Sequence, residues 1–238
     1  MLEIKNFTKK FGDKVVVDNL SLNIKGGEIW AFVGHNGAGK TTTLKAISGI
    51  LDFDEGEILI NGFNIKKEGI KAKQILHYIP DNPLLYENLT GFEHLNFIAD
   101  VFKLSKNERK EQIESYAKRF EIIENLTQKI STYSHGMKQK LAIICALIHK
   151  PKLLLLDEPF VGLDPKSSHE LKIIMQELAK QNVAIFYSTH VLDVAEKICS
   201  HIAIIKNGKL IASGKMEDVK GMESLEKVFL ELENENNN

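Results

Sequence analysis

Residues 34–41 read GHNGAGKT, directly after the strand-like run EIWAFV and at the head of a helical pattern spanning about 39–50. Gly34 and Gly39 bracket four residues and are followed by Lys40 and Thr41, the pattern of a loop that cradles phosphate. Gly34, Gly37 and Gly39 allow backbone conformations and close approaches that a side chain would block. The N–H groups along the loop, from Gly34, His35, Asn36, Gly37 and Ala38 through Gly39 to Thr42, then converge on phosphate oxygens at the positive end of the helix. Lys40 is placed to reach β- and γ-phosphates, and Thr41 to give an oxygen to Mg²⁺. A plain glycine-rich turn is the alternative, and both flanking elements argue against it.

Phosphoryl chemistry also needs carboxylates. The run KLLLLDEP, residues 152–159, buries four leucines and delivers Asp157 and Glu158 at its C-terminal end, where open sheets bind ligands. Asp157 is the candidate for Mg²⁺ and Glu158 for the general base that faces an attacking water. Standing alone, an Asp-Glu pair after a strand reads as a solvated turn or a helix cap. His190 closes the run VAIFYSTH, where an imidazole hydrogen-bonds a γ-phosphate and orients water, with Ser188 and Thr189 as polar neighbours. The remaining seven histidines lack that strand-end setting or an evident partner. In STYSHGMKQKLAIICALIHK, residues 131–150, Ser134 caps a helix and Gly136 relaxes its first turn, which is a plain N-cap or half of a phosphate site.

These residues need elements to hold them. Residues 1 to about 33 read as strands separated by Gly and Asp turns, and DFDEGEILING as a turn, a strand and a turn. From about 84 to 150 the pattern is helical, with capping boxes at Thr90/Glu93 and Ser105/Glu108. Strand and helix alternate again from 152, with a helix from about 167 and a hairpin turning at Asn207-Gly208. Runs such as LLLL and VAIFY suit a sheet covered on both faces. The expectation is one α/β domain over 1–238: a nucleotide-binding core (1–83 and 151–220), a helical subdomain (84–150), and a C-terminal helix with a polar, frayed tail (221–238), the last six residues being ENENNN.

The chain has 238 residues and a formal net charge of −1, which gives no field for holding nucleic acid or an anionic membrane. Its longest apolar run, LAIICALI, is far short of the ~20 residues that cross a bilayer. The N-terminus reads as a strand entering a turn, not as a signal segment. Cys145 and Cys199 are the two cysteines and read as buried thiols of a reducing compartment.

Taken in order, GHNGAGKT, YSHGMKQ, LLLLDEPFVGLDP and STH resemble the nucleotide-binding subunit of ABC transporters over essentially the whole chain. The resemblance implies a P-loop NTPase core with an N-terminal antiparallel β subdomain and an inserted α-helical subdomain, and ATP with Mg²⁺ as ligands. It implies that Phe11 stacks on adenine and that Asp164 contacts an opposing subunit's phosphate loop. Ser134, Gly136 and Met137 would face the γ-phosphate of that subunit in a head-to-tail dimer, homo- or heteromeric. The loop around IPDNPLLYENLT would sense the γ-phosphate and touch integral membrane subunits, placing the chain in the cytoplasm, peripheral on the membrane's cytoplasmic face.

Two positions depart from the family pattern. Asp81 stands where the family has a glutamine that reaches Mg²⁺ and water; an aspartate is shorter and charged, and reaches the metal through water or not at all. The usual Leu-Ser-Gly-Gly-Gln reads Tyr133-Ser134-His135-Gly136-Met137, so His135 crowds the approach or adds a donor. YSHGMKQKL and SLEKVFLEL look like exporter-type ATPases encoded apart from their membrane subunit, whose relatives move drugs, peptide antibiotics, lipids or polysaccharide. The alternatives are a soluble ABC ATPase remodelling a nucleic-acid or translation complex, and a low-turnover regulatory ATP sensor.

Overall fold

The computed structural model of the chain describes residues 1–235. β1 (Leu2–Phe11) and β2 (Lys14–Ile24) pair antiparallel around Gly12, and β3 (Ile29–Val33) follows. β4 (Glu55–Ile60) and β5 (Phe63–Asn64) complete a four-stranded antiparallel sheet of order β2-β1-β4-β5. Along β2, Leu20, Leu22 and Ile24 are buried while Asn19, Ser21 and Asn23 are exposed, the alternation of a sheet with one wet face.

The second sheet reads its strands differently. β6 (Leu76–Ile79), β7 (Leu153–Asp157), β8 (Ala184–Thr189), β9 (His201–Lys206) and β10 (Lys209–Lys215) join β3 in the order β10-β9-β3-β8-β7-β6. All pairings are parallel except β9 with β10, which are joined through Asn207 (φ 47°) and Gly208 (φ 81°), the left-handed pair a tight hairpin requires. Successive residues of the parallel strands enter two different cores. Ala31, Leu154, Leu156 and Ile185 face one cluster, whereas Phe32, Leu153, Leu155 and Phe186 face the other. A run such as LLLL is therefore two interleaved apolar faces, each with its own cover.

The second core is closed by the antiparallel sheet and by α1 (Lys40–Ile47), with α2 (Gly69–Lys73) beside them. The first is closed by α3 (Gly91–Val101), α4 (Lys106–Arg119) and α5 (His135–Leu147), and by α6 (Pro165–Lys180) and α7 (Leu192–Ile198). Thr90 and Ser105 form complete capping boxes with Glu93 and Glu108, worth ~1 kcal/mol each. Leu95, Ile113 and Ile143 share a cluster with Leu154 and Ile185, so the helical stretch packs onto the sheet's core and does not build a separate one.

Two boundaries differ from the sequence reading. α6 starts at Pro165 and not near 167, because Asp164 caps it and proline occupies its first turn. At the C-terminus, α8 (Met216–Lys220) and α9 (Leu225–Glu235) follow. The backbone of 233–235 thus continues a helix where a frayed tail is expected; residues 236–238 of that tail lie outside the described residues. Cys145 and Cys199 are free and buried, and burial pushes both thiols up to about 12. Among the described residues no helix is long and apolar enough to cross a membrane.

Candidate active site

β3 ends at Val33, and its chain turns through the glycine-rich loop into α1. A Cβ on Gly34 would collide with the carbonyl oxygen of Ile205 on β9, so the loop leaves the sheet only through glycine. Gly37 (φ 82°) and Gly39 (φ 111°) adopt left-handed conformations, which open the loop and start the helix. Ala38 N–H donates to the His35 carbonyl, and Gly208 N–H donates to that of Ala38, both at 3.1 Å. The β9–β10 turn thereby braces the loop from below. Lys40 is 7% exposed, and its ammonium folds back to donate to the carbonyls of Gly34 and His35. Burial lowers its pKa, opposed by the carboxylates of Glu158 and Asp157.

Asp157 closes β7 and is 1% exposed. Its two carboxylate oxygens accept from the hydroxyls of Ser188 and Tyr78, the latter at 3.4 Å. Glu158 leaves the strand with φ 47°, a sparsely populated conformation for a residue with a side chain. Its N–H donates to the Ser188 carbonyl at 3.2 Å and to the Ser188 hydroxyl at 3.1 Å. The carboxylate then points back to lie 2.9 Å from His190 Nδ1. Ser188 is thus directed at Asp157 and Glu158, while Thr189 accepts the N–H of Val191 and shapes the turn after β8.

A cleft of about 550 Å³ is lined by His35, Asn36, Gly37, Gly39, Lys40, Thr41 and Thr42 from the loop and helix, and by Asp81, Asp157 and Glu158. Its size suits a small-molecule ligand. The donor set fits Mg²⁺: a threonine hydroxyl and carboxylates, all hard oxygens. Among the described residues no three His, Cys, Asp or Glu side chains converge to cage a metal; phosphate oxygens and water would have to complete the coordination of such an ion. Asp81 Oδ1 meanwhile accepts the N–H of Asn82 at 2.8 Å.

The other sequence-derived residues lie elsewhere. Gly34 and Ala38 belong to the loop but sit beneath it and do not line the cleft. Phe11 ends β1 half exposed outside the cleft wall, with the Lys9 ammonium 4.9 Å from its ring centre. Ser134 Oγ accepts the N–H of Met137 at 3.3 Å and caps α5. None of Ser134, Gly136 or Met137 lines the cleft. His135 lays its ring on Gly162, and a Cβ on Gly136 would come within 2.6 Å of the Gly162 carbonyl oxygen. Asp164 caps α6 through Ser167 and pairs with Lys140 at 2.7 Å. The Lys140 ammonium, helped by the Ser167 N–H, holds its carboxyl well below the usual carboxylate range.

Sequence reasoning missed Lys14, Val15, Val16 and Asn207, which also line the cleft. The first three come from the antiparallel sheet and the last from the β9–β10 turn. The Asn-Gly turn was readable as a hairpin, but nothing local places it beside the loop.

Residues 17–161 match the family model described as ABC transporter. The linearmycin resistance ATP-binding protein LnrL of Bacillus subtilis is 37% identical over 219 residues, covering 92% of this chain and 70% of that protein. A solved ATP-binding subunit of an ABC transporter superposes with a TM-score of 0.95 at 34% identity, covering 98% of this chain and 99% of that one. The ATP-binding cassette MJ0796, solved as a dimer in a post-hydrolysis state bound to ADP and Pi, gives 0.83 at 26% identity over 91% of this chain and 99% of its own. With a phosphate loop, a strand-end Asp157–Glu158 pair and these likenesses over nearly its whole length, the chain belongs to the ABC transporter family, as an ATP-binding, ATP-hydrolysing subunit of P-loop NTPase fold.

Proposed function

We propose that this ATPase works as a head-to-tail dimer that drives export through separate integral membrane subunits, from the cytoplasmic face of the membrane. One observation carries the dimer: the cleft holds the loop, Asp157 and Glu158 but neither Ser134 nor Gly136. An open site leaves one side of a triphosphate in water, where charge stabilisation is weak. A second copy would bring its own Ser134, Gly136 and Met137, with the positive end of α5, onto the γ-phosphate. The dimeric relative bound to ADP and Pi supports this arrangement.

Within each half-site, loop residues 34–42 bind the phosphates and Lys40 swings from its carbonyl partners to the β- and γ-oxygens. Phe11 stacks on the adenine. Thr41 and Asp157, with Asp81 beside them, would hold Mg²⁺, which when bound spreads the charge of the transferring phosphoryl group. Glu158 takes the proton of the attacking water, and His190, already 2.9 Å from Glu158, orients that water and touches the γ-phosphate. Asp164 would meet the opposing loop.

The surface that would meet a membrane subunit is apolar. An apolar groove runs beside the Asp81 loop, with Leu84 87% exposed, Ile50 66% and Tyr86 56%. Exposed apolar side chains gathered along one groove mark an interaction surface. Export as the direction is supported by the resistance protein LnrL. The dimer reading is tested by Glu158→Gln in the whole chain. Sedimentation with ATP should show a stable dimer; a wild-type chain that stays monomeric with ATP and still hydrolyses it at the full rate would overturn the reading.

A further inference from the structure

Asp157 is gripped from both sides of its own strand. β7 lies between β6 and β8. Ser188 on β8 donates its hydroxyl to Oδ1, and Tyr78 on β6 donates to Oδ2 at 3.4 Å. With one hydroxyl on each oxygen, the carboxylate is held from both sides, and Asp157 still lines the cleft.

The two donors are not equivalent. Ser188 is fully buried and also receives the N–H of Glu158, so it serves the strand end as a whole. Tyr78 is partly buried, lies outside the cleft wall, and reaches the cleft residue Asp157 through its hydroxyl. Its ring forms part of the wall of the apolar groove, together with Leu85 and Phe97. A tyrosine used only as wall would do equally well as phenylalanine. The hydroxyl has its partner in Asp157.

We propose that Tyr78 is a positioning residue whose hydroxyl sets the Asp157 carboxylate for the divalent cation that accompanies ATP. The inference rests on the reading of Asp157 as a metal-holding residue. Partners that orient a ligating carboxylate are worth about 10- to 100-fold in metal affinity, and the long Tyr78–Asp157 bond puts this one at the lower end. Because the same ring walls the groove, whatever fills the groove bears on the residue that orients Asp157.

The test compares the wild-type chain with Tyr78→Phe and Asp157→Asn, using Mn²⁺ as the probe. Protein is saturated with a non-hydrolysable ATP analogue, and half-saturating Mn²⁺ is read from the paramagnetic resonance of the bound ion. Affinity for the analogue in EDTA and the melting temperature are measured alongside. For Tyr78→Phe we expect about a tenfold rise in half-saturating Mn²⁺, with metal-free analogue affinity unchanged within about twofold. Unchanged Mn²⁺ dependence in Tyr78→Phe, while Asp157→Asn loses Mn²⁺, would overturn the role of Tyr78 and leave Asp157 standing. If Asp157→Asn also keeps wild-type Mn²⁺ affinity, the metal reading of Asp157 fails and the proposal with it. A parallel loss of metal-free analogue affinity and melting temperature in Tyr78→Phe would assign the residue a structural role only, against the proposal.

Discussion

The phosphate loop and the start of α5 are both built from glycine, a helix N-terminus and a small polar side chain, yet the chain treats them in opposite ways. The loop opens onto a cleft with Lys40, Asp157 and Glu158 already around it, braced underneath by Gly208 and Ile205. The start of α5 lies outside that cleft. It packs against the Gly162 turn through His135 and Gly136, and that turn leads to Asp164, itself tied to Lys140 of α5. One region is an acceptor with its chemistry assembled. The other is a packed block of α5 and the 158–164 turn, set apart from that cleft. His135, which departs from the usual glycine, takes part in this block: its ring fills the space over Gly162.

The largest effect should come from the acceptor side. Glu158→Gln should lower steady-state ATP turnover by about 10²- to 10⁴-fold, the usual contribution of a positioned base, with ATP binding retained. Equal loss of binding and turnover would make Glu158 part of the cradle instead. The block is probed by Gly162→Ala, which places a Cβ against the His135 ring at φ +80°. It should cost roughly 1–3 kcal/mol in denaturant melts and reduce turnover with nucleotide affinity intact. Wild-type stability would separate α5 from the turn.

The joint between the two regions should respond to pH. α5 is followed by His149, which stacks on Phe102 and lies 2.9 Å from His77 of β6, the strand that leads to Tyr78 and Asp81. Burial lowers His77 to about 3 and His149 to about 4. Both are neutral when folded, so the unfolded chain binds protons first, near its ordinary 6.5. The stability they contribute is complete above that value and is lost as pH falls from about 6.5 towards 3. At pH 5, His77 alone should cost about 2 kcal/mol relative to pH 7. Thermal melts across that range should steepen in the wild type and flatten in His77→Gln; equal slopes would remove the pair from the joint. The smallest effect is Ser134→Ala, about 1 kcal/mol of helix capping, with turnover reduced more than metal-free ATP binding.

What could be read from the residues follows the same division. Buried runs such as LLLL and VAIFY announced a covered sheet because two faces had to be apolar at once, and Thr90 and Ser105 announced helices because their partners sit three residues on. The loop and the Asp157–Glu158 pair were legible because each is local, a few residues at the end of a strand. Lys14, Val15, Val16 and Asn207 were not, since they reach the cleft only when the antiparallel sheet and the β9–β10 turn fold over it. Tyr78 was hidden for the same reason: its partner Asp157 is 79 residues away. The start of α6 was placed late because the polar run after Asp164 masks a proline in the first turn. Ser134 could be recognised as a cap, but no single chain shows what its helix end is aimed at.

The central claim is that each working site takes its loop from one chain and its Ser134 end from another. Mixing Glu158→Gln chains with Ser134→Trp chains tests it most directly. Head-to-tail dimers of one each contain one site with an intact loop, base and Ser134, so the mixture should hydrolyse ATP well above the mean of the two variants assayed apart. A mixture no faster than that mean would mean that the site is complete within one chain, and would contradict the account.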